Sequence, residues 1–363
     1  MKRIAILDLY YGKSGKLGFY NSQAVGLAKA YVECGHEVFI VRPEKRASEI
    51  SERKLEQTIT LMTVPAKVLG VHSFYHLDFL LQYKIDLVHL NSDNQAYAPA
   101  VIKFCKKNHI PQYNYVGTLY SDSENKYKQF LMNFFSIRNI RYYKNSCTFV
   151  KTEHVLQQMK NKGIKKVKVV PVGLDFDVIP EIQDNKKECR KKLGLPVGKK
   201  ILLYVGRLAE YKRPLDAIDL LKNLSGEYVL VVIGTGELKE NFLEMAKKKD
   251  VISRIIYIEE IPNIEIHKYY RAADCFLNFN PQEIFGMSIL EASYQQCPVV
   301  ARHAPGPDTI VSDGKTGFLC DSIAEMCECV QKINEDMGVK GKERTTKRFS
   351  WKEASRVFLE EFV

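Results

Sequence analysis

The chain has 363 residues, which is enough for two or three domains with hydrophobic cores of their own. Hydrophobic residues make up 45% and charged residues 27% of the sequence, and this composition excludes collagen-like, low-complexity and membrane-embedded proteins. The formal net charge is +11, and the positive excess lies in the first half of the chain. Residues 1–175 contain 26 basic and 14 acidic side chains, whereas residues 176–363 contain 28 basic and 29 acidic ones. A basic half indicates a phosphate-bearing partner: nucleic acid, an anionic membrane surface or a phosphorylated metabolite.

Neither a membrane-spanning helix nor a secretory signal is predicted. No segment reaches the roughly 18 consecutive apolar residues of a membrane span, and Asp8 interrupts the first apolar run too early for a signal peptide. The nine cysteines form no CxxC pair and mostly lie in apolar surroundings, which favours reduced thiols in the cytoplasm over disulfides or zinc ligands. Cys327 and Cys329 are predicted on one helix, at a spacing that does not allow both thiols to point inward.

Short apolar runs alternate with amphipathic stretches along the chain, a pattern typical of βαβ units and a parallel sheet. The predicted strands are residues 4–9, 37–41, 87–90, 112–116, 147–151, 167–170, 200–205, 228–233, 255–258, 273–279 and 298–301. The predicted helices are residues 22–34, 214–224, 237–248 and 287–296. A polar linker at 176–199 divides the two sets, and its charged run 186–192 predicts a solvated helix face. The fold class is therefore α/β, with two Rossmann-like domains facing across a cleft, and ligands are expected beyond the carboxyl ends of the strands.

A glycine-rich loop at residues 11–18 follows the first predicted strand. Its glycines fit neither the P-loop spacing nor the GxGxxG spacing of dinucleotide-binding proteins. The loop is still predicted to approach an anion, through the flexible backbone at Gly15 and Gly18 and the cation of Lys16. A plain turn is the alternative.

Two further loops close strands in the second half. Gly206-Arg207 ends one strand and Lys212 follows at a predicted helix start, so two cations suited to a diphosphate meet there, with a surface salt-bridge pair as the alternative. Gly234 closes the next strand, but Lys239 stands where the third glycine of a dinucleotide fingerprint would fall.

A fourth loop is the most informative, because it holds two glutamates eight residues apart. Glu283 lies in the loop, Gly286 permits close backbone approach, and Glu291 lies on the following helix. The free amides at the helix start attract negative charge, and carboxylates accept hydrogen bonds from hydroxyls. One glutamate on each side of a bound diphosphate suits a nucleoside-diphosphate sugar, which has a hydroxyl-rich group at each end.

These residues resemble the retaining family-4 glycosyltransferases of GT-B fold, of the bacterial glycan and capsular polysaccharide type. Glu283 and Glu291 resemble the family's E-x7-E motif, and Val205-Gly206-Arg207-Leu208 with Lys212 is similar to its phosphate-binding segment. Weaker similarities occur at residues 15–18, 35–38, 171–175, 298–301, 313–319 and 349–351.

The resemblance implies a nucleotide-sugar donor held mainly by residues 176–345 and a glycan or lipid-diphosphate-linked acceptor held by residues 1–175. Residues 346–363 would form a helix that packs back on the first domain. Arg207 and Lys212 would stabilise the leaving diphosphate, in place of a metal ion or cofactor, neither of which the resemblance implies. The expected donor contacts are Glu283 to the transferred sugar, Glu291 to the ribose, the amides of Phe285, Gly286 and Met287, and the loops of Gly206, Gly234, Gly15, Lys16 and Gly18.

One departure concerns the acceptor side. Family members often carry a histidine before the glycine at the end of the fourth strand, but Val116 precedes Gly117 here. Tyr115, Thr118 or a neighbour is expected to take over that position. His89, at the end of another strand, is a further candidate acceptor contact, and a packed or capping role is its alternative.

The function predicted from these features is a retaining, metal-independent glycosyltransferase of cell-surface polysaccharide biosynthesis. A non-catalytic GT-B scaffold and a nucleotide-sugar epimerase are the alternatives, and the first is disfavoured by the presence of both cations and both glutamates. No recognised nucleic-acid-binding module occurs in the sequence.

Residues 126–144 mix aromatic and basic side chains. A helix packed on its own domain and a surface lying on anionic lipid both fit this mixture, and the second would attach the protein to the inner face of the cell membrane.

Overall fold

The protein is described by a computed structural model that covers residues 1–11, 23–120 and 126–362. It divides into two compact units. The first comprises Met1–Asp175 and Ser350–Val363, and the second comprises Phe176–Phe349.

The strands of the described residues are β1 (Arg3–Asp8), β2 (Glu37–Glu44), β3 (Ser51–Glu56), β4 (Ile59–Pro65), β5 (Lys67–Leu69), β6 (His72–Phe74), β7 (Leu87–Asn91), β8 (Gln112–Val116), β9 (Cys147–Val150), β10 (Val167–Val169), β11 (Lys200–Val205), β12 (Tyr228–Ile233), β13 (Ile255–Ile258), β14 (Cys275–Asn278), β15 (Val299–Arg302) and β16 (Gly317–Cys320).

The α-helices of the same residues are α1 (Gln23–Glu33), α2 (Phe79–Gln82), α3 (Ala98–Lys107), α4 (Lys126–Tyr143), α5 (Glu153–Asn161), α6 (Lys186–Lys192), α7 (Asp216–Asn223), α8 (Lys239–Lys248), α9 (Asn263–Ala272), α10 (Met287–Tyr294), α11 (Pro305–Ile310), α12 (Ile323–Lys332), α13 (Glu335–Arg348) and α14 (Trp351–Glu360). In these ranges, no helix has both the length and the apolar character needed to cross a membrane.

The first unit is built on a sheet with the strand order β10-β9-β8-β7-β1-β2-β4-β3. All of its pairs are parallel except the pair of β3 with β4. The register aligns Asp8 of β1 with Asn91 of β7, and Asn91 with Tyr115 of β8. The last residues of the central strands therefore meet at one edge of the sheet.

The second unit contains a fully parallel sheet with the order β13-β12-β11-β14-β15-β16. The chain runs outward from β11 through β12 to β13, then returns to the other side of β11 with β14. The two loops that follow β11 and β14 leave neighbouring strands in opposite directions. Open α/β sheets bind ligands at such a switch point, outside the carboxyl ends of the strands.

The eleven predicted strands are confirmed, while β3, β4, β5, β6 and β16 were not predicted. The hairpins β3–β4 and β5–β6 lie between residues 51 and 74. Strand β3 carries almost only exposed, mostly charged side chains, so its sequence lacks the alternation that reveals a half-buried strand. It is an edge strand, and charge on an edge strand discourages pairing with another chain.

Packing limits one expectation about the helices of the second unit and corrects another. Four of the seven side chains in the charged run 186–192 are exposed as predicted, but the Arg190 guanidinium is buried, pairs with Asp274 and donates to the carbonyl of Ala272. Cys327 and Cys329 are both buried, since α12 is covered on two sides. The Cys327 thiol contacts the carbonyl of Leu220 on α7, while Cys329 lies beside β16.

The end of the chain also differs from the predicted single helix over 346–363. Helix α13 continues to Arg348 within the second unit, and α14 begins at Trp351 in the first. Ser350 separates the two helices, because its hydroxyl accepts from the amide of Glu353 as an N-cap. A Cβ on Gly173 would lie 2.4 Å from the Trp351 nitrogen, so the start of α14 touches the backbone that precedes the second unit.

His89 lies in the core of the first unit. Its ring packs edge-on against Tyr113, Tyr115 and Phe358 of α14, at centroid distances of 4.9 to 5.5 Å. Its Nδ1 lies 2.6 Å from the Tyr113 hydroxyl, and its Nε2 lies 3.0 Å from Oδ1 of Asn91. Burial lowers the pKa of His89 to about 3.

We expect this neutral histidine to make the first unit less stable in mild acid. An imidazole in the unfolded chain titrates near 6.5, so between pH 6.5 and about 3 the unfolded state binds more protons than the native state. The free energy of unfolding therefore falls as pH decreases through this window, by up to about 2 kcal/mol between pH 7 and pH 5.

Urea unfolding of the wild type and of His89→Gln at both pH values measures this effect. The variant should be less stable at pH 7, by about 1–3 kcal/mol for the lost buried hydrogen bonds, and should show a smaller loss between pH 7 and pH 5. An equal pH dependence in both proteins would contradict the assignment to His89.

Candidate functional site

The floor of the candidate site in the second unit is formed by the loops after β11 and β12. The Gly206 amide donates to the carbonyl of Ile233, and the Gly234 amide donates to that of Ile258, both at 3.0 Å. A Cβ on Gly234, whose φ is 140°, would lie 2.0 Å from the Gly206 carbonyl oxygen. Only glycine fits there, so the two loops expose backbone rather than side chains at this edge.

The two predicted phosphate-binding cations follow β11. Arg207 is exposed, and its guanidinium makes no hydrogen bond or ion pair with the residues that the structure describes. Lys212 ends a short 3₁₀ turn, and its Nζ lies 2.5 Å from Oε2 of Glu283. One cation is thus open to solvent, while the other is joined to the loop after β14.

Glu283 is held by three nitrogen atoms on one of its oxygens. Besides Lys212, the side-chain amides of Asn278 and Asn280 donate to Oε2, each at 3.3 Å. All hydrogen bonds to the Glu283 carboxylate within the described part of the chain end on Oε2. The other oxygen, Oε1, is left to accept from a ligand, although only 12% of the side chain is exposed.

Asn278 and Asn280 were missed by the sequence interpretation. The signal was available, since an asparagine ends the buried strand β14 and a second follows two residues later.

The backbone between Glu283 and α10 is held by close contact with Gly306. The Gly306 amide donates to the Glu283 carbonyl at 2.9 Å, and a Cβ on Gly306 would lie 2.0 Å from the Phe285 carbonyl oxygen. Gly286 has a φ of 96° and begins α10 without a side-chain cap, so the first amides of the helix keep their hydrogen-bonding capacity. The Phe285 ring is turned into the core against Phe349, and Gly286 is buried as well, so Met287 and Ser288 are the first partly exposed residues at the start of α10.

Glu291 lies one turn along α10 and is only partly buried. The hydroxyl of the fully buried Tyr270 donates to its Oε2 at 3.3 Å. The two predicted glutamates are thus held by different means: Glu283 by a lysine after β11 and two asparagines at the end of β14, and Glu291 by a tyrosine of α9.

The structure corrects two predicted acceptor contacts in the first unit. His89 and Tyr115 are not available to a ligand: both rings are buried, the nitrogens of His89 have partners, and the Tyr115 hydroxyl donates to the carbonyl of Val170. Their aromatic surfaces fill the core beneath α14. Gly117 and Thr118 do lie at the strand edge, but the Gly117 amide donates to Asp93 and the Thr118 hydroxyl donates to the carbonyl of Tyr120. Gly15, Lys16 and Gly18 lie outside the described residues.

A polar cluster at this edge was not predicted. Asp8 accepts from the Asn91 amide at 2.7 Å, and Asp93 lies 3.6 Å from Lys151. Burial raises the pKa of Asp8 above its usual value. Each of these residues ends a strand of the central sheet or follows it within two residues, and that position was the sequence signal that could have identified them.

No group of three or more histidine, cysteine, aspartate and glutamate side chains suited to a metal ion occurs in residues 1–11, 23–120 and 126–362. The charged groups of the candidate site in the second unit are the two cations and the two glutamates described above.

Comparison with known protein families finds a match that covers this part of the chain. Residues 185–346 match the family described as "Glycosyl transferases group 1", and the match includes both cations and both glutamates. Residues 185–346 therefore form a group 1 glycosyltransferase domain.

The whole chain is also similar to glycosyltransferases. It is 23% identical over 346 residues to the alpha-monoglucosyldiacylglycerol synthase of Acholeplasma laidlawii, covering 88% of this chain and 85% of that protein. Among solved structures, a sucrose-phosphate synthase from Thermosynechococcus elongatus matches with a TM-score of 0.78 at 16% identity, covering 100% of this chain and 98% of the other. The HepE protein of Anabaena, in complex with UDP and glucose, matches with a TM-score of 0.72 at 18% identity, covering 99% of both chains. The fold is therefore GT-B.

We expect Gly306→Ala to displace the Glu283 loop of the glycosyltransferase domain. The added methyl group would meet backbone atoms of Phe285, and such overpacking costs about 1–3 kcal/mol of unfolding free energy. Gly226→Ala is the matched control in the same unit, because nothing lies within 4 Å of its Cβ position. Urea unfolding should show a clear loss for the first variant and little change for the second; equal stabilities would contradict the close contact.

Proposed function

We propose that the protein transfers a sugar from a nucleoside-diphosphate sugar to a glycan or lipid-linked acceptor, with retention of the anomeric configuration. The observation that carries this proposal is the junction of Lys212 with Glu283 beside the exposed Arg207 and the uncapped start of α10. Cations, amides and a carboxylate converge there on one edge of the sheet. The HepE structure with UDP and glucose supports a donor of this class.

The diphosphate is the part of the donor that the cations suit. Arg207 offers a planar, open guanidinium, and the first amides of α10 point toward the same strand edge, where they favour negative charge. When the sugar departs, charge develops on the diphosphate. Fixed donors that are already oriented stabilise that charge without reorganisation, so these groups do the work that a metal ion would otherwise supply.

The two glutamates match the hydroxyl groups at the two ends of the donor. Glu283 keeps Oε1 for a hydroxyl of the transferred sugar, because Lys212 and the two asparagines occupy Oε2. Glu291, held from behind by Tyr270, accepts from the ribose. A carboxylate with one oxygen already bonded has a fixed orientation, so it distinguishes sugars by the position of their hydroxyl groups.

For the chemical step we propose attack from the face that the leaving group departs from. The acceptor oxygen forms a bond to the anomeric carbon, and the bond from that carbon to the diphosphate breaks with its electron pair going to the diphosphate. A phosphate oxygen takes the acceptor proton. This step needs no enzyme nucleophile on the opposite face of the sugar, and it retains the anomeric configuration.

The acceptor is proposed to be held by the first unit and to be glycan or lipid-linked. The positive charge of residues 1–175 supports a phosphorylated acceptor, and the similarity to a monoglucosyldiacylglycerol synthase supports a lipid. Because Val116 is apolar and Tyr115 is buried, we propose that Asp93 and Lys151 take the place of the histidine that the family often carries there.

We expect Arg207→Ala to lower kcat about 100- to 1,000-fold, the usual effect of losing one donor that stabilises a developing anion. Arg213→Ala is the matched control, since this exposed arginine lies nearby in sequence but pairs with Asp216. The readout is release of nucleoside diphosphate from a panel of UDP- and GDP-sugars with a membrane lipid extract as acceptor. Equal losses in both variants would contradict the assignment.

We expect Glu283→Gln and Glu291→Gln to separate kinetically. The first should lower kcat because it alters the contact to the reacting sugar, and the second should mainly raise the KM for the donor. The anomeric configuration of the product is read by NMR. An inverted product would exclude the proposed step, and free sugar or epimer formed without acceptor would favour an epimerase. No turnover of any donor, together with unchanged donor binding in Glu283→Ala, would favour a scaffold.

A further inference from the structure

Helix α4 carries a continuous stripe of exposed apolar side chains. Tyr127, Phe130, Phe134 and Ile137 are 72%, 69%, 63% and 56% exposed. Their spacings of three, four and three residues place them on one face of the helix. Soluble proteins commonly expose single large apolar residues, but a row of four on one helix face marks an interaction surface.

The opposite face of α4 is packed against the first unit. Ser136, Asn139 and Ile140 are buried there, and Asn139 donates to the carbonyl of Gln95. The helix is therefore ordered by the domain beneath it, and its outer face is not needed for folding. Apolar side chains on both faces also explain why the sequence of this segment shows no simple amphipathic period.

Every charged side chain on this helix is a cation. Residues 126–144 contain no aspartate or glutamate, and the exposed cations around the stripe are Lys126, Arg138, Arg141 and Lys144. A second copy of the chain docking face to face would bring these cations against one another, because a two-fold interface joins the same patch on both partners. An acidic surface is the complement that this arrangement requires.

The hairpin of β5 and β6 contacts α4. Leu69, at the end of β5, and Val71, in the turn, are exposed, and His72 of β6 joins the hairpin to the helix. The His72 Nε2 lies 3.2 Å from the sulfur of Met132, and its ring lies 6.4 Å from that of Phe135. The hairpin is thus attached to the helix that carries the stripe.

We propose that α4 docks the protein on an anionic lipid bilayer. The stripe of Tyr127, Phe130, Phe134 and Ile137 enters the boundary between headgroups and acyl chains, and the flanking cations contact acidic headgroups. This inference deepens the proposed function, since it rests on an acceptor that resides in the membrane. It assigns part of the positive charge of residues 1–175 to a membrane-binding surface.

The test is co-sedimentation of the full chain with vesicles in low salt. Vesicles of phosphatidylglycerol and phosphatidylcholine in equal parts should bind the wild type at least ten times more tightly than vesicles of phosphatidylcholine alone. The double variant Phe130→Ser/Phe134→Ser should lose at least tenfold in binding to anionic vesicles. Ile264→Ser is the matched control, because this isoleucine is half exposed on a helix of the other unit, and it should bind like the wild type.

The electrostatic part is tested separately with Arg141→Gln/Lys144→Gln. At about 1 kcal/mol per cation near the headgroups, the loss of two should weaken binding to anionic vesicles roughly thirtyfold and leave binding to neutral vesicles unchanged. Thermal unfolding of each variant verifies that the fold persists, since all four substituted side chains are exposed.

Three results would overturn the proposal: no binding of the wild type to anionic vesicles, equal binding to neutral vesicles, or unchanged binding of the Phe130→Ser/Phe134→Ser variant. A stripe that instead joins two copies would appear in gel filtration as a dimer that the same variant dissociates while vesicle binding persists. Turnover of the donor with a water-soluble acceptor distinguishes the docking proposal from the transferase proposal. If that turnover survives while vesicle binding is absent, the transferase proposal stands and the docking proposal fails.

Discussion

The ion pair between Lys212 and Glu283 is the interaction on which the candidate site depends. It joins the loops that follow β11 and β14, the two strands at which the sheet of the second unit changes direction. Both side chains are mostly buried, at 23% and 12% exposure, so each needs the other to offset its loss of water. Two asparagines share the same carboxylate oxygen and fix its direction. The pair and the two asparagines therefore fix Lys212 and the loop of Glu283 relative to each other.

The same physical rule explains the edge of the first unit. Parallel strands deliver the residues at their carboxyl ends to one side of the sheet, so Asp8, Asn91 and Lys151 come together although they are far apart in sequence. His89 supports this edge from inside: its ring nitrogens join the Tyr113 hydroxyl to Asn91, and Asn91 bonds Asp8. The residue first considered for acceptor binding is thus a structural support for the polar edge. Its neutral state follows from burial among aromatic rings.

Most strands of both parallel sheets could be predicted, because strands buried on both faces are apolar runs bounded by glycine and polar residues. The charged edge strand β3 could not, since its stability comes from pairing with β4 rather than from an apolar pattern. The start of the final helix near residues 349–351 is visible in the sequence, because serine is a common N-cap residue. That residues 346–348 still belong to α13 and the second unit depends on packing. In the site, Arg207, Lys212, Glu283 and Glu291 follow from motif and spacing. The position of Asn278 and Asn280 at the end of β14 marks them in the sequence, but their hydrogen bonds to Glu283 are visible only in the folded loop.

The sequence by itself determined the class of fold, the loops that matter and the side chains that carry charge in them. It also determined that residues 1–175 hold the positive excess. Only the tertiary structure decided which of those side chains a ligand can reach, since burial depends on packing between segments distant in sequence. The helix α14, from the end of the chain, covers His89 and Tyr115, and the domain beneath α4 orders that helix while leaving its aromatic stripe exposed. The local sequence does not tell a buried aromatic side chain from an exposed one, because burial depends on which other segments of the folded chain pack against it.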